Sequence, residues 1–329
     1  MKNSQNFVSY TSENPLKIAI LHHNIEPTEI KFNEYFIQEG CEVFFFDIRQ
    51  VKIEDLFDCD LVFNRVYSSI ASQDFKVLSK TLSLLKSLEE RGIKCVNSYL
   101  ASLADYNKYE LYKLLKKQKI RTPPTLFIKS RKKIEVVSDK AIKNFGLPIV
   151  AKRNCGGKSY EVSLAHSKEE LLQILNKMFD LAEDQNYGAG FILQKFMKSV
   201  RNHDCRVAVV EGNFLYSYSR SFIPRNSKYK WMASTSGGSV ERPYNSTKEE
   251  IEIAKKANLA INSSFSESDI ILTSKGPCII EVNPSAGYFI DSIDDLERMK
   301  LIVKNLINIY KKTNEIMQVE INLPYQILN

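Results

Sequence analysis

The chain has 329 residues, 43% of them apolar and 26% charged, with a formal net charge of +7. This length supports two or three compact units with substantial cores, and this composition excludes disorder over most of the chain. No apolar run approaches membrane-spanning length, and the cations are interleaved with 39 acidic residues, which disfavours a membrane or nucleic-acid interface and leaves an anionic substrate as a use for the excess charge.

Residues 1–15 are polar and irregular and lack the regions of a secretory signal. Six scattered cysteines form no CxxC pair, so reduced thiols in a cytoplasmic protein are expected. From Lys17 the elements alternate: a strand at Lys17–Leu21, an amphipathic helix at Thr28–Gly40, strands at Val43–Phe46, Leu61–Asn64 and Cys95–Asn97, and an apolar helix at about Phe75–Arg91. This alternation predicts a doubly wound parallel sheet and a first α/β unit over residues 1–97. A Lys- and Leu-rich helix at Asn107–Gln118 is stopped by Pro123-Pro124. Next come a strand, a helix at Ser138–Phe145, a strand at Ile149–Lys152, a glycine loop, another strand and a helix at Lys168–Leu181. They predict a small α+β lobe and a second unit over 98–193. Strands dominate from Phe191: FILQKF, then CRVAVV and FLYSYSRSF as a hairpin about Glu211-Gly212-Asn213. A helix at Thr247–Asn262 opens with the capping box Thr247/Glu250, and SDIIL and CIIEVN form a second hairpin joined by Thr273–Pro277. A helix from about Ile293 to Lys311 precedes the tail of a third unit, 194–329.

The second hairpin carries the chemistry. Asp269, Glu281 and Asn283 place oxygen-bearing side chains in or beside apolar strands, where a lone buried carboxylate costs several kcal/mol unless it is paired. Glu281 and Asn283, two apart, share a face, and Asp269 can lie across from the Glu281 strand. Three hard oxygen donors of this kind suit magnesium bound to nucleotide phosphates; the alternative is a strand start, a half-exposed strand residue and a turn residue. Upstream, a strand ending in Lys152 runs into Asn154-Cys155-Gly156-Gly157-Lys158-Ser159, where glycines admit phosphates to backbone N–H groups and a lysine adds a point charge. An ordinary turn is the alternative. A P-loop is excluded, because no glycine stands five residues before Gly157 and a strand rather than a helix is expected to follow.

In this order the motifs resemble the ATP-grasp superfamily, and within it the RimK-type ligases that add glutamate or related amino acids to acceptors. The resemblance covers roughly Lys17 to Lys311. It rests on Asn107-Lys108, the Pro148–Lys152 strand and its glycine loop, Gln194, Asp204-Cys205-Arg206, Arg220, Gly237-Gly238, Asp269 and Glu281-Val282-Asn283. It implies an α/β and α+β chain with the ATP-grasp fold: an N-terminal doubly wound parallel-sheet domain and two α+β lobes enclosing the nucleotide. It also implies ATP with Mg2+ (Mn2+ as a substitute), a carboxylate and an amine (amino acid or peptide) as substrates, and amide formation through an acyl phosphate with release of ADP and phosphate. By the same resemblance Lys108, Lys152, Gly156, Gly157, Lys158, Ser159, Gln194, Lys195, Phe196 and Asp204 would hold ATP. Arg206 and Arg220 would face the transferred phosphoryl group, and Asp269, Glu281 and Asn283 would ligate the metal. The chain departs from the family at Lys195-Phe196, where relatives carry an acidic residue after the glutamine. It departs again at Trp231–Ser236, which lacks the usual arginine and asparagine; Lys230 or Arg225 are the candidate substitutes.

His22-His23 and Asn64-Arg65 follow strands of the first unit, at the end where open parallel sheets bind ligands; ordinary loop residues are the alternative. His203, beside Asp204, is a candidate proton acceptor or a plain surface residue. A D-alanine or glutathione-type ligase, or a nucleotide-binding protein without catalysis, are the rival readings, and a homo-oligomer is compatible with the sequence.

Overall fold

The computed structural model describes residues 15–72, 74–157, 161–185, 187–223, 231–234 and 237–321. The first sheet is built from β1 (Lys17–His22), β2 (Glu42–Asp47), β3 (Leu61–Asn64) and β4 (Lys94–Val96). It is parallel throughout, in the order β2-β1-β3-β4. Residues of β1 alternate between two cores, because successive strand side chains point to opposite faces. Ile18 and Ile20 pack with Phe32 and Phe36 of α1 (Pro27–Gln38), whereas Ala19 and Leu21 pack with Leu85 and Leu88 of α2 (Phe75–Glu89). Helices on both faces explain why β1 reads as an unbroken apolar run.

One helix went unrecognised in the sequence, α3 (Tyr99–Tyr106), which runs almost directly into α4 (Lys108–Lys117). Asn107 separates them: its backbone is extended, and its side chain accepts from the N–H groups of Tyr109 and Glu110, so it caps α4 rather than starting it.

The second sheet, antiparallel in the order β5-β8-β6-β7, comprises β5 (Thr125–Ile128), β6 (Ile149–Arg153), β7 (Val162–Ala165) and β8 (Phe191–Lys195). It is backed by α5 (Ile134–Phe145) and α6 (Lys168–Asp184). The expected boundary at 193/194 falls inside β8, an inner strand of this sheet. The third sheet has the order β11-β10-β9-β12-β13 and is antiparallel. Its strands are β9 (His203–Val210), β10 (Asn213–Ser221), β11 (Glu241–Pro243), β12 (Phe265–Thr273) and β13 (Gly276–Asn283). Cys205, Val207 and Val209 of β9 face α3, α4 and α7 (Lys248–Ala260), whose capping box forms as expected. The opposite face of β9 changes along its length. Ala208 and Val210 join the core of α1 and α8 (Ile293–Ile321), while Asp204 and Arg206 carry charge toward the cleft between the second and third sheets. The carboxyl-terminal helix thus returns to pack on the first unit. Among the described residues no helix is long and apolar enough to cross a membrane.

Candidate active site

The register of β12 and β13 sets Asp269 directly opposite Glu281 and Glu267 opposite Asn283. A β-bulge lies at this point: Ile270 pairs with Ile279, leaving Ile280 as the extra residue. Regular alternation would put Ile279 and Glu281 on one face. With the bulge, Ile279 and Val282 both enter the helix-side core, while Ile280 and Glu281 both line the cleft, as does Asp269. The extra residue is what lets an apolar strand deliver a carboxylate to the cleft.

Both carboxylates are paired with cations. Arg206 meets Asp269 through two hydrogen bonds, of 2.6 Å and 3.0 Å, and Arg220 approaches the same carboxylate at 2.9 Å. Burial pushes the Asp269 carboxyl up, but the two guanidinium groups outweigh it and hold it well below the usual carboxylate range. Glu281 lies 2.8 Å from the Lys108 ammonium. There burial also acts upward, and Lys108 with Lys152 reverses it, so Glu281 too sits below its ordinary value. Arg220 forms a fork-to-fork pair with Asp204, at 3.1 Å and 2.5 Å. Register sets this pair, since Arg220 and Asp204 stand opposite each other on β10 and β9.

The glycine loop leaves β6 at Arg153. Asn154 accepts from the Tyr109 N–H at 2.9 Å, and its carbonyl accepts from the Lys108 N–H at 2.9 Å, joining the loop to the start of α4. Lys108 donates from its ammonium to the Gly156 carbonyl at 2.7 Å, which makes it a bridge from the loop to Glu281. Gly156 has φ +140°, a conformation that L side chains avoid. At Gly157 a Cβ would lie 3.3 Å from the Ser69 Cβ, so the loop packs tightly on the first unit. Lys158 and Ser159 lie outside the described residues, as do Arg225 and Lys230.

Lys152 differs from the other cations. It is 8% exposed and lines the cleft, yet among the described residues no carboxylate pairs with it directly. Burial lowers its ammonium to about 8, with Glu281 opposing that shift and Lys108 adding to it. Gln194 is buried and donates to the Thr125 hydroxyl at 3.0 Å; Lys195 and Phe196 continue the cleft wall, and Phe196 meets Trp231 edge to face.

Of the other nominated residues, Arg65 and Asn64 have structural partners. Arg65 is buried, donates to Glu29 at 3.1 Å and to the Ala286 carbonyl at 3.1 Å, and lies over the Phe32 ring. Asn64 bonds Ser102, Tyr106 and the Val66 N–H. His22 and His23 are buried and each Nδ1 has no partner among the described residues. His203 lies 3.4 Å from the Asn202 side chain and edge-on to the Tyr244 ring, and its Nε2 has no hydrogen-bond partner among the described residues.

Two acidic residues escaped sequence reasoning. Glu267 is fully buried, accepts from Tyr216 at 2.5 Å and Tyr288 at 3.1 Å, and receives Arg206 at 3.2 Å. Its signal was present: it stands two residues before Asp269, on the same face, in a strand that begins at Phe265 rather than Ser268. Asp105, on α3, accepts from the Ser68 N–H at 3.3 Å and is raised by burial to about 7, with Lys108 drawing it back down and Glu281 pushing it further up. Without α3, nothing in the sequence located it.

Donor chemistry decides whether this set fits a divalent cation. Among the described residues no group of three or more His, Cys, Asp and Glu could hold a metal, so the protein offers two carboxylates, Asp269 and Glu281. The Asn283 amide nitrogen donates to the Glu267 carbonyl at 3.3 Å, which leaves its side-chain oxygen as a further hard donor. Magnesium takes one or two carboxylates and completes its shell with waters and phosphate oxygens, so the set fits.

Residues 105–309 match the RimK-like ATP-grasp domain. A probable alpha-L-glutamate ligase from Thioalkalivibrio sulfidiphilus is 25% identical over 205 residues, which are 62% of this chain and 64% of that protein. The matched region therefore spans just under two thirds of that relative. The crystal structure of a RimK-domain ATP-grasp protein from Sphaerobacter thermophilus superposes with a TM-score of 0.64 at 15% identity, covering 89% of this chain and 98% of that one. D-alanine–D-alanine ligase from Bacillus anthracis superposes with a TM-score of 0.63 at 18% identity, covering 91% and 99%. With the family's domain over more than half its length and the ATP-grasp fold throughout these superpositions, the chain belongs to the RimK-like ATP-grasp family.

Proposed function

We propose that this protein is an ATP-dependent carboxylate–amine ligase of the cytoplasm, which forms an amide or peptide bond and releases ADP and phosphate. The observation that carries this reading is Lys152, a buried ammonium in the cleft with no carboxylate of its own among the described residues. Such a charge is costly unless an anion completes it, and a polyphosphate beside the glycine loop would do so. In this reading Lys152, Lys108 and the Gly156-Gly157 backbone hold the phosphates, and the wall of Gln194, Lys195 and Phe196 takes the base. Asp269, Glu281 and Asn283 would hold Mg2+, or Mn2+ in its place, which neutralises phosphate charge when bound.

The chemistry proposed for the chain follows from charge. An oxygen of the substrate carboxylate attacks the γ-phosphorus of ATP, the bond to ADP breaks, and an acyl phosphate forms. Arg206 and Arg220 present planar guanidinium groups to the charge that develops on the transferred group. The amine then attacks the acyl carbon and loses a proton as phosphate departs. Most of the acceleration in this scheme is positioning and fixed electrostatics, so no side chain is assigned as general base.

The glutamate ligases among the relatives suggest glutamate as the added amino acid, and the D-alanine ligase likeness suggests a free amino acid as a competing substrate. The test is a screen of ADP release by the purified chain with MgATP and panels of amino acids and peptides, with product masses recorded. ADP formation coupled to a product lighter by one water than its two precursors together is expected. Nucleotide binding without turnover on any carboxylate and amine pair would favour a binding protein instead.

A further inference from the structure

Both arginines that pair with a proposed metal-binding carboxylate also hold a second carboxylate outside the metal set, and Lys108 feels the charge of a third. Arg206 binds Asp269 and also Glu267. Arg220 reaches Asp269 and also Asp204. Lys108 pairs with Glu281, and its charge also interacts with that of Asp105. The three outer carboxylates are anchored independently of the cations in two cases: Glu267 by the hydroxyls of Tyr216 and Tyr288, and Asp105 by the Ser68 N–H.

We infer that Glu267 and Asp105, with Asp204, are positioning residues that act as standing counter-charges, so that the metal-binding carboxylates can be released to a divalent cation without setting their cations adrift. This rests on the ligase reading for the identity of the metal site. The physical need is plain. If Asp269 and Glu281 were the sole partners of Arg206, Arg220 and Lys108, metal entry would strand three buried cations, and stranding a buried charge costs far more than the pair contributes. A second carboxylate already in place keeps each cation charged and oriented toward the phosphates. Removal of that carboxylate's charge makes the cation cling to its remaining partner, so the metal must compete for it.

A defined signature follows, in which metal affinity and metal-free nucleotide affinity move in opposite directions. Glu267→Gln keeps the shape and one acceptor oxygen, which can still take the tyrosine hydroxyls, but removes the charge, and Asp105→Asn, compared at a pH above the value of about 7 to which burial raises Asp105, removes the charge at the other end of the site. The probes are Mn2+, read by electron paramagnetic resonance on the ADP-loaded full chain, and ADP alone, read by calorimetry in chelator. Each variant is expected to weaken Mn2+ by roughly five- to tenfold, while metal-free ADP binds as tightly as to wild type or tighter. A merely structural role would weaken both, and that result overturns the inference. So does Mn2+ affinity within about twofold of wild type in both variants, a change smaller than one lost charge partner should produce. Glu211→Gln, at a half-buried acidic position paired with Lys94 on the turn between β9 and β10, serves as the control and should change neither. If Glu267→Gln fails to fold, Asp105→Asn alone decides. Failure of wild type to bind ADP with Mn2+ at all would sink the ligase reading itself, an outcome distinct from normal wild-type binding with indifferent variants.

Discussion

The third sheet and Lys152 of the second sheet present opposite electrostatic designs to the same cleft. On β9, β10, β12 and β13 the charges are closed into pairs: Arg206 and Arg220 on Asp269, Arg220 on Asp204, Lys108 on Glu281. On β6, Lys152 is as buried as these groups but has no carboxylate at hydrogen-bond range among the described residues. A closed network can be stable and still yield its members to an exchange of partners. An unpaired buried ammonium marks where charge is missing. The sheet with paired groups is therefore the one expected to receive a cation, and the strand with a bare lysine the one expected to receive the anion.

The sharpest way to break this comparison is at Glu281. Glu281→Gln removes one of the two proposed metal-binding carboxylates and should lower kcat by roughly a thousandfold, the scale seen when a key electrostatic group is lost. Circular dichroism and the melting transition should stay near wild type, because Glu281 is partly exposed and its partner Lys108 retains the Gly156 carbonyl. Turnover within tenfold of wild type would remove Glu281 from the metal set. Lys152→Met probes the other side and should weaken nucleotide binding by roughly a hundredfold while raising thermal stability at pH 7, since an apolar chain of similar length replaces a charge held out of water. Loss of affinity together with loss of stability would mean that Lys152 is a structural cation after all.

Much of this division was legible in the sequence. The strand–helix alternation from Lys17 onward is a consequence of burial on both faces, and the capping box at Thr247 follows from local hydrogen bonding, so both are written in short stretches of chain. Asp269 and Glu281 stood out as carboxylates in the apolar strands of one hairpin, although regular pairing from its turn would set Asp269 against Ile280 rather than Glu281. What could not be read was long-range. The bulge at Ile280 depends on register between two strands, and without it the side of the sheet that Glu281 faces is misassigned. Which arginine meets which aspartate depends on β9 lying between β10 and β12, not on the closeness of Asp204 and Arg206 in the chain. Asp105 required α3, a helix of only eight residues wedged between a strand and a stronger helix signal.

The smallest expected effect is also the most specific, because one group drives two observables with opposite sign. In the folded chain Lys152 loses its proton near pH 8, against an ordinary value of 10.5 in the unfolded chain. Between those values the unfolded state binds more protons, so this group makes stability rise with pH, by at most about 1.4 kcal/mol per unit. Below about 8 the full cost of the buried charge is present in wild type and absent in Lys152→Met. The stability advantage of the variant should therefore shrink as pH climbs from about 8 to 10.5. Nucleotide affinity should run the other way, flat below pH 7 and falling by up to about tenfold per unit above 8, because a polyphosphate binds the protonated lysine. The difference between wild type and variant, measured by calorimetry for binding and by denaturant melts for stability, cancels the titration of the other lysines. A pH-independent difference in both measurements would show that Lys152 keeps its charge throughout, and that β6 is as well neutralised as the strands across the cleft.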